Sequence, residues 1–188
     1  MERPVSGRIV AGAALAAAAA AVWAAAATDL DPLQSTLAAQ FKQMNVPVEA
    51  PFRHFSGGVQ FDPAKPDQAV AHIEVDTASF ELGDEDYNSE VRKPEWFDSS
   101  RFPVATFDAK GLKPAGTGKF ETDGTLSLKG KSRPIHVTLA VHDQGGATVF
   151  DGEVPISRGY FQIGGPDWKD SVADPVVVKF HIVTHGGH

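Results

Sequence analysis

Asp84, Asp86, Asn88 and Glu95 fall at the first, third, fifth and twelfth positions of a calcium-binding EF-hand loop, with Val91 at its apolar eighth. Such a ring of oxygens suits a hard cation. The pattern breaks in three places, however. Ser89 stands where the turn glycine belongs, Pro94 lies inside the loop, and residues 78–82 enter it as a strand would. An acidic helix start on a solvated face accounts for the same residues, because negative charge is favoured there by the helix dipole. No metal is expected at this segment.

Imidazoles offer a second chemistry. Three of the seven histidines, His181, His185 and His188, crowd the C-terminus, and Gly186-Gly187 would let them converge on zinc or copper. His181 belongs to the outward face of a strand pattern and His188 is the last residue, so only adventitious binding is expected. His136 and His142 fall on the polar side of another strand. Signals for catalysis are absent: there is no G-x-S-x-G elbow and no cysteine nucleophile. Gly116-Thr117-Gly118-Lys119 looks like the end of a phosphate loop, but the upstream glycine is missing and Phe120 replaces the Ser/Thr. No catalytic residue is assigned.

Composition narrows the classes further. The 188 residues carry a formal charge of −7 and no Lys/Arg block, which argues against a nucleic-acid partner. Hydrophobic content of 42%, with twelve Phe, is that of a globular chain able to bury one core. The length fits one domain plus an appendage.

The appendage is residues 1–27. Arg3 and Arg8 precede a charge-free run at 9–27, and 13 of the 17 residues from 11 to 27 are alanine. Small residues at 24–27 offer cleavage options before Thr28-Asp29-Leu30-Asp31. This layout is that of a secretory signal peptide, a short helix removed on export near Ala27. The competing reading is an uncleaved membrane anchor, but alanine is weakly apolar and Ile9, Leu15, Val22 and Trp23 are few for a firm span. The expected address is outside the cytoplasm, with residues 28–188 as the working domain.

Beyond residue 35 the apolar pattern has period two. In Ile135-His136-Val137-Thr138-Leu139-Ala140-Val141 the odd positions are branched and apolar. Val176-Val177-Val178-Lys179-Phe180-His181-Ile182 and Ala71-His72-Ile73-Glu74-Val75 alternate likewise, and Phe150, Val154 and Ile156 share a face opposite Val149, Asp151 and Glu153. Strands are expected at 35–44, 48–61, 69–80, 106–112, 118–128, 135–141, 148–156 and 176–183, with one short helix over 84–96. Asp123-Gly124 and Gln144-Gly145-Gly146 carry hairpin-turn signals. The fold class is therefore all-β, antiparallel, closed into a barrel or stacked as a sandwich. Its combined apolar face holds no charge. In an eight-stranded barrel such a face either fills itself or encloses one small ligand.

Several blocks resemble the YceI family. They are Phe41-Lys42-Gln43-Met44-Asn45-Val46-Pro47-Val48, Phe52-Arg53-His54-Phe55-Ser56-Gly57-Gly58-Val59-Gln60-Phe61-Asp62, Trp96-Phe97-Asp98, Phe102-Pro103-Val104-Ala105-Thr106-Phe107, and the stretch from Gly124-Thr125-Leu126 to Arg133-Pro134-Ile135. Trp168 and Val172-Ala173-Asp174-Pro175-Val176 complete the order. One departure stands out: Ala50-Pro51-Phe52 occurs where the family commonly has Gly before the Phe. Pro51 lacks a backbone donor, so a late strand start or a bulge is expected there.

The resemblance implies an eight-stranded lipocalin-like barrel in the periplasm, its apolar interior holding a polyisoprenoid or quinone-like lipid. Alternation then points to Ile73, Val75, Phe107, Leu126, Leu128, Val137, Leu139, Phe150 and Phe180 as lumen residues, with Trp96 and Phe97 capping one end. A phosphorylated head would need a local cation such as Arg53, Arg92 or Arg133. Two rivals remain: a solid barrel docking a membrane redox protein, and an enzyme acting on an isoprenoid or quinone head.

Overall fold

The computed structural model describes residues 28–185; the expected signal peptide at 1–27 and the C-terminal Gly186, Gly187 and His188 lie outside them. Eleven strands form one antiparallel sheet: β1 (Thr28–Asp29), β2 (Thr36–Gln43), β3 (Val46–Pro51), β4 (Phe55–Gln60), β5 (Val70–Asp76), β6 (Val104–Lys110), β7 (Lys113–Gly116), β8 (Lys119–Leu128), β9 (Lys131–Gln144), β10 (Ala147–Ile156) and β11 (Val176–His185). Their order is β1-β4-β5-β6-β8-β9-β10-β11-β2-β3, with β7 paired to β8.

The two ends of this curled sheet are brought together. Leu30 N–H donates to Gly57 C=O at 3.0 Å and Asp31 N–H donates to Val183 C=O at 2.7 Å, so the residues after β1 bridge β4 to β11. β2 pairs with β3 as β1 pairs with β4, so both walls beside the seam are strands broken in two. Counted this way the wall has the eight strands expected. Closure leaves few open edges, as strand-edge hydrogen bonding demands.

The anticipated single strand over 48–61 breaks after Pro51, which ends β3. Phe52 N–H donates to Leu37 C=O at 2.9 Å, and Arg53 N–H to Ser79 C=O at 3.0 Å, so the kink is tied on both sides. The strand over 69–80 ends early too: Asp76 caps a 3-10 turn at Thr77–Ser79. The helix α1 is shorter than expected, Glu85–Val91, with the Asp84 side chain accepting from Asp86 N–H. It stops before Pro94 because the chain turns back, Phe97 N–H donating to Val91 C=O, and thereby buries Trp96 and Phe97.

The hairpin turns follow backbone sign. Met44-Asn45, Lys129-Gly130 and Gly145-Gly146 have both central φ values positive, as a two-residue type I′ turn requires. The Asp123-Gly124 signal is misleading. Those residues sit mid-strand in β8, and Gly124 pairs with Ala109 and Ile135. Val149, expected on the solvated face, is 1% exposed in a small outer cluster with Ala147 and Val183. The calcium-like segment is also committed to structure. Asn88 is buried, accepts from Leu82 N–H and donates to Glu81, so it is a helix-packing residue and not a loop ligand.

Candidate ligand-binding site

Among the described residues are two cavities, of about 190 Å³ inside the barrel and about 270 Å³ at one end of it. Each alone is below the ~300 Å³ at which pockets for drug-sized ligands begin, and the two joined exceed it. Phe52, Phe97, Leu128, Ile156 and Val178 line both, so these five residues stand between an inner and an outer chamber. Three rings narrow this region: Phe52 lies 4.8 Å from Phe80 and 6.0 Å from Phe97, and Phe80 lies 5.4 Å from Phe97, between ring centroids.

The inner chamber is built by the period-two faces of β5, β6 and β8 to β11. Ile73, Val75, Phe107, Leu126, Leu128, Val137, Leu139, Phe150 and Phe180 all line it, on the faces their alternation gives them, and Phe97 lines it from the turn after α1. Trp96 instead lines only the outer chamber, and Phe97 stands between the two chambers, not at an end. Sequence reasoning did not single out Ala71, Ala105 and Ala109, whose small side chains leave the space the larger ones surround. Two buried hydroxyls on the inner wall are already bonded. Thr77 Oγ1 donates to Phe102 C=O at 2.9 Å, and Thr122 Oγ1 to Gly111 C=O at 2.8 Å. Lys110, exposed, marks a rim. The chamber thus presents hydrocarbon, and a polar guest group there would lose its water without replacement.

The outer chamber is different. It lies between the β2–β3 hairpin, α1 and the loops around 158–172, and meets solvent at Tyr87, which is 60% exposed. Its wall carries Gln43, Tyr87, Glu90, Trp96 and Arg158 among apolar residues. The Glu90 carboxylate accepts from Lys93. Arg158 is 7% exposed, and its guanidinium donates to the carbonyls of Ile163, Gly164, Trp168, Val172 and Ala173. The cations named from sequence lie elsewhere: Arg92 pairs with Glu85 at 3.0 Å, Arg133 stacks on Tyr160 at 4.7 Å, and neither they nor Arg53 line a chamber.

The described histidines occupy the outside of the barrel, each facing a carboxylate. His181 Nδ1 and His72 Nδ1 lie 2.6 Å from Asp151 and Asp108, and His136 Nδ1 lies 2.9 Å from Asp123. His185 Nε2 stands 2.7 Å from Asp31, not with His181 around an ion.

A YceI-like domain model matches residues 29–184. The chain belongs to the YceI-like family. Among curated relatives, a UPF0312 protein of Azotobacter vinelandii is 30% identical over 94 residues, half of this chain and 49% of that one. The chain thus matches about half the length of such relatives. The crystal structure of Burkholderia cenocepacia BcnA superposes with a TM-score of 0.80 at 43% identity, covering 82% of this chain and 99% of BcnA. A polyisoprenoid binding domain from Saccharophagus degradans gives a TM-score of 0.71 at 18% identity, over 87% of this chain and all of that domain, and shows the shared fold.

Proposed function

We propose that this YceI-like chain encloses the tail of a polyisoprenoid or similar amphiphile, as a carrier or reservoir in the periplasm that does no chemistry on its cargo. The observation carrying this reading is the inner chamber, a hydrocarbon-lined space whose two buried hydroxyls are satisfied by backbone. A tail entering it gives up no hydrogen bond. One five-carbon isoprene unit is worth at most ~4 kcal/mol, at ~0.8 kcal/mol per buried CH₂-sized group. Association and chain ordering cost on the order of 4–15 kcal/mol, so a few units reach balance and a longer tail binds. The Saccharophagus degradans domain, described as polyisoprenoid binding, supports the ligand class. The signal-peptide pattern at 1–27 supports export. Removing it after Ala27 leaves Thr28, already in β1, as the first residue of the seam.

The test is native mass spectrometry with apolar extraction, on protein purified from its own cell envelope. An unmodified prenyl lipid, bound one to one, is expected. A chemically converted lipid would replace the carrier with the enzyme reading. An empty barrel would replace it with a module that docks a membrane redox protein.

A further inference from the structure

The β2–β3 hairpin forms one wall of the outer chamber, through Ala39, Phe41, Gln43 and Val48. Its rungs on that face pair Ala39 with Ala50, Phe41 with Val48, and Gln43 with Val46. Residues two apart on a strand share a face, so Ala50, Val48 and Val46 make one apolar row. Ala50 is fully buried and Val46 is 61% exposed, so the row leaves the chamber and ends in solvent. Met44 follows at the turn, 78% exposed. Its φ of 47° is left-handed, a conformation that suits glycine and asparagine and is uncommon for a long apolar side chain. The turns at Lys129-Gly130 and Gly145-Gly146 place no apolar side chain there. Nor is the tip loose, because Met44 N–H donates to Ser171 C=O at 2.7 Å. Helix α1 adds the exposed Tyr87 to the same mouth.

Three such side chains fall short of the ~800 Å² that each partner gives to a standard protein interface. Insertion among lipid head groups needs only their tips, and tyrosine is favoured at that depth. Charge narrows the choice of lipid. Lys42 and Lys169, with Asp86, Asp167 and Asp170, are exposed around this mouth without an ion-pair partner among the described residues. A zwitterionic head-group layer offers a counter-charge to both signs. A purely anionic layer matches only the lysines and repels a chain of net charge −7.

We infer that the β2–β3 tip, with Tyr87, docks on a zwitterionic phospholipid bilayer, Met44 and Val46 entering it so that a lipid tail passes along β3 into the outer chamber. This rests on the carrier reading, to which it adds where the cargo is taken up. The row from Val46 to Ala50 keeps the tail on hydrocarbon between bilayer and chamber. Docking is driven by apolar insertion, and salt leaves it in place.

The test is flotation of the mature protein with vesicles of phosphatidylcholine and phosphatidylethanolamine, at low and high salt, beside vesicles of phosphatidylglycerol. The protein is expected to float with the zwitterionic vesicles at either salt concentration. Met44→Asp with Val46→Asp should lower partitioning at least about tenfold, since both side chains lose their burial in lipid. Should that pair fail to fold, Met44→Asn alone, whose side chain suits the turn, is expected to lower it too. Leu33→Asp is the control: Leu33 is 94% exposed but stands beside Asp31 and His185, at the far end of β11 from the outer chamber. It should change nothing. Transfer of geranylgeraniol from the vesicles should slow with the double variant, while uptake from dilute detergent stays as in the unaltered protein. Equal flotation of the double variant, or binding to phosphatidylglycerol alone that salt abolishes, would overturn the docking surface. So would an absence of flotation, whether the tip then proves to join a second copy in solution or stays free. In each of those cases normal uptake from detergent leaves the carrier reading standing. Loss of uptake from both sources in the unaltered protein would overturn that reading instead.

Discussion

The ring of Phe180 lies where a side chain on Gly152 would stand. The two are cross-strand partners in β11 and β10, and a Cβ on Gly152 would come within 2.5 Å of Phe180 Cζ. Phe107 on β6 covers Gly124 on β8 from a diagonal position, its own register partner being Leu126. A glycine on the lumen face thus gives each ring a place against the wall, and the chamber stays open beside it. Gly152→Ala is expected to push Phe180 off that place and destabilise the protein by about 1–3 kcal/mol, the usual cost of overpacking. Pairing it with Phe180→Leu should recover most of the loss, a coupling visible in urea midpoints of the double-mutant cycle. An alanine tolerated at no cost would show that the ring moves freely.

Filling the chamber separates binding from folding. Ala109 is 8% exposed and lines the inner chamber on β6. Ala109→Phe is expected to occupy the space a tail requires and lower uptake of geranylgeraniol by at least about tenfold. Stability should hold or rise by about 0.5–2 kcal/mol, as with other cavity-filling changes. Thermal melting and native mass spectrometry on one sample check both. Full uptake by a folded variant would place the tail elsewhere.

The sequence made the inner wall legible because burial on a barrel strand repeats every second residue. Leu139, Phe150 and Phe180 needed only that alternation to be placed on one face. Gly124 was misread because an Asp-Gly pair is a local turn signal, whereas its role is set by the ring of Phe107 on the neighbouring strand. The alanines of β6 carry little local signal, since what they provide is space. The outer chamber was illegible for another reason. Trp96, Arg158 and Trp168 come from separate turns, and Arg158 looks like any surface cation until five carbonyls surround it.

That cage makes Arg158 the staple of the loop between β10 and β11. A lysine keeps the charge but has three donors on one nitrogen, which cannot reach carbonyls spread over residues 163–173 as the planar fork does. Arg158→Lys is expected to cost about 3 kcal/mol, since several buried carbonyls lose a charged donor. Limited proteolysis should then cut first within residues 159–175. A lysine variant with unchanged stability and cleavage would show that the loop holds without the cage.

Acid and base act on different pairs. His72 Nδ1 lies 2.6 Å from Asp108 and its Nε2 3.4 Å from Glu74. The Asp108 hydrogen bond raises the imidazole above its ordinary 6.5, against burial and with help from Glu74. The folded state therefore holds this proton more tightly than the unfolded chain. The stabilisation is full below the unfolded value and is lost as pH rises through the folded one. Asp31 has the opposite sign. Hydrogen bonds from His185, Leu33 N–H and Gln34 hold its carboxyl down from 3.8 to about 2, so its contribution is present above 3.8 and lost as pH falls towards 2. Asp123 is also lowered, chiefly by His136, and Glu81 chiefly by Asn88, and both add to the acid limb. Thermal midpoints should therefore decline on both sides of a maximum between about pH 4 and about pH 6.5. His72→Gln should flatten the decline above about pH 6.5 and leave the acid limb intact. Asp31→Asn should reduce the acid limb alone, loosening the seam where His185 meets the end of β1. Midpoints followed by circular dichroism across pH check both variants, and a His72→Gln protein with the full alkaline decline would assign that decline to another group.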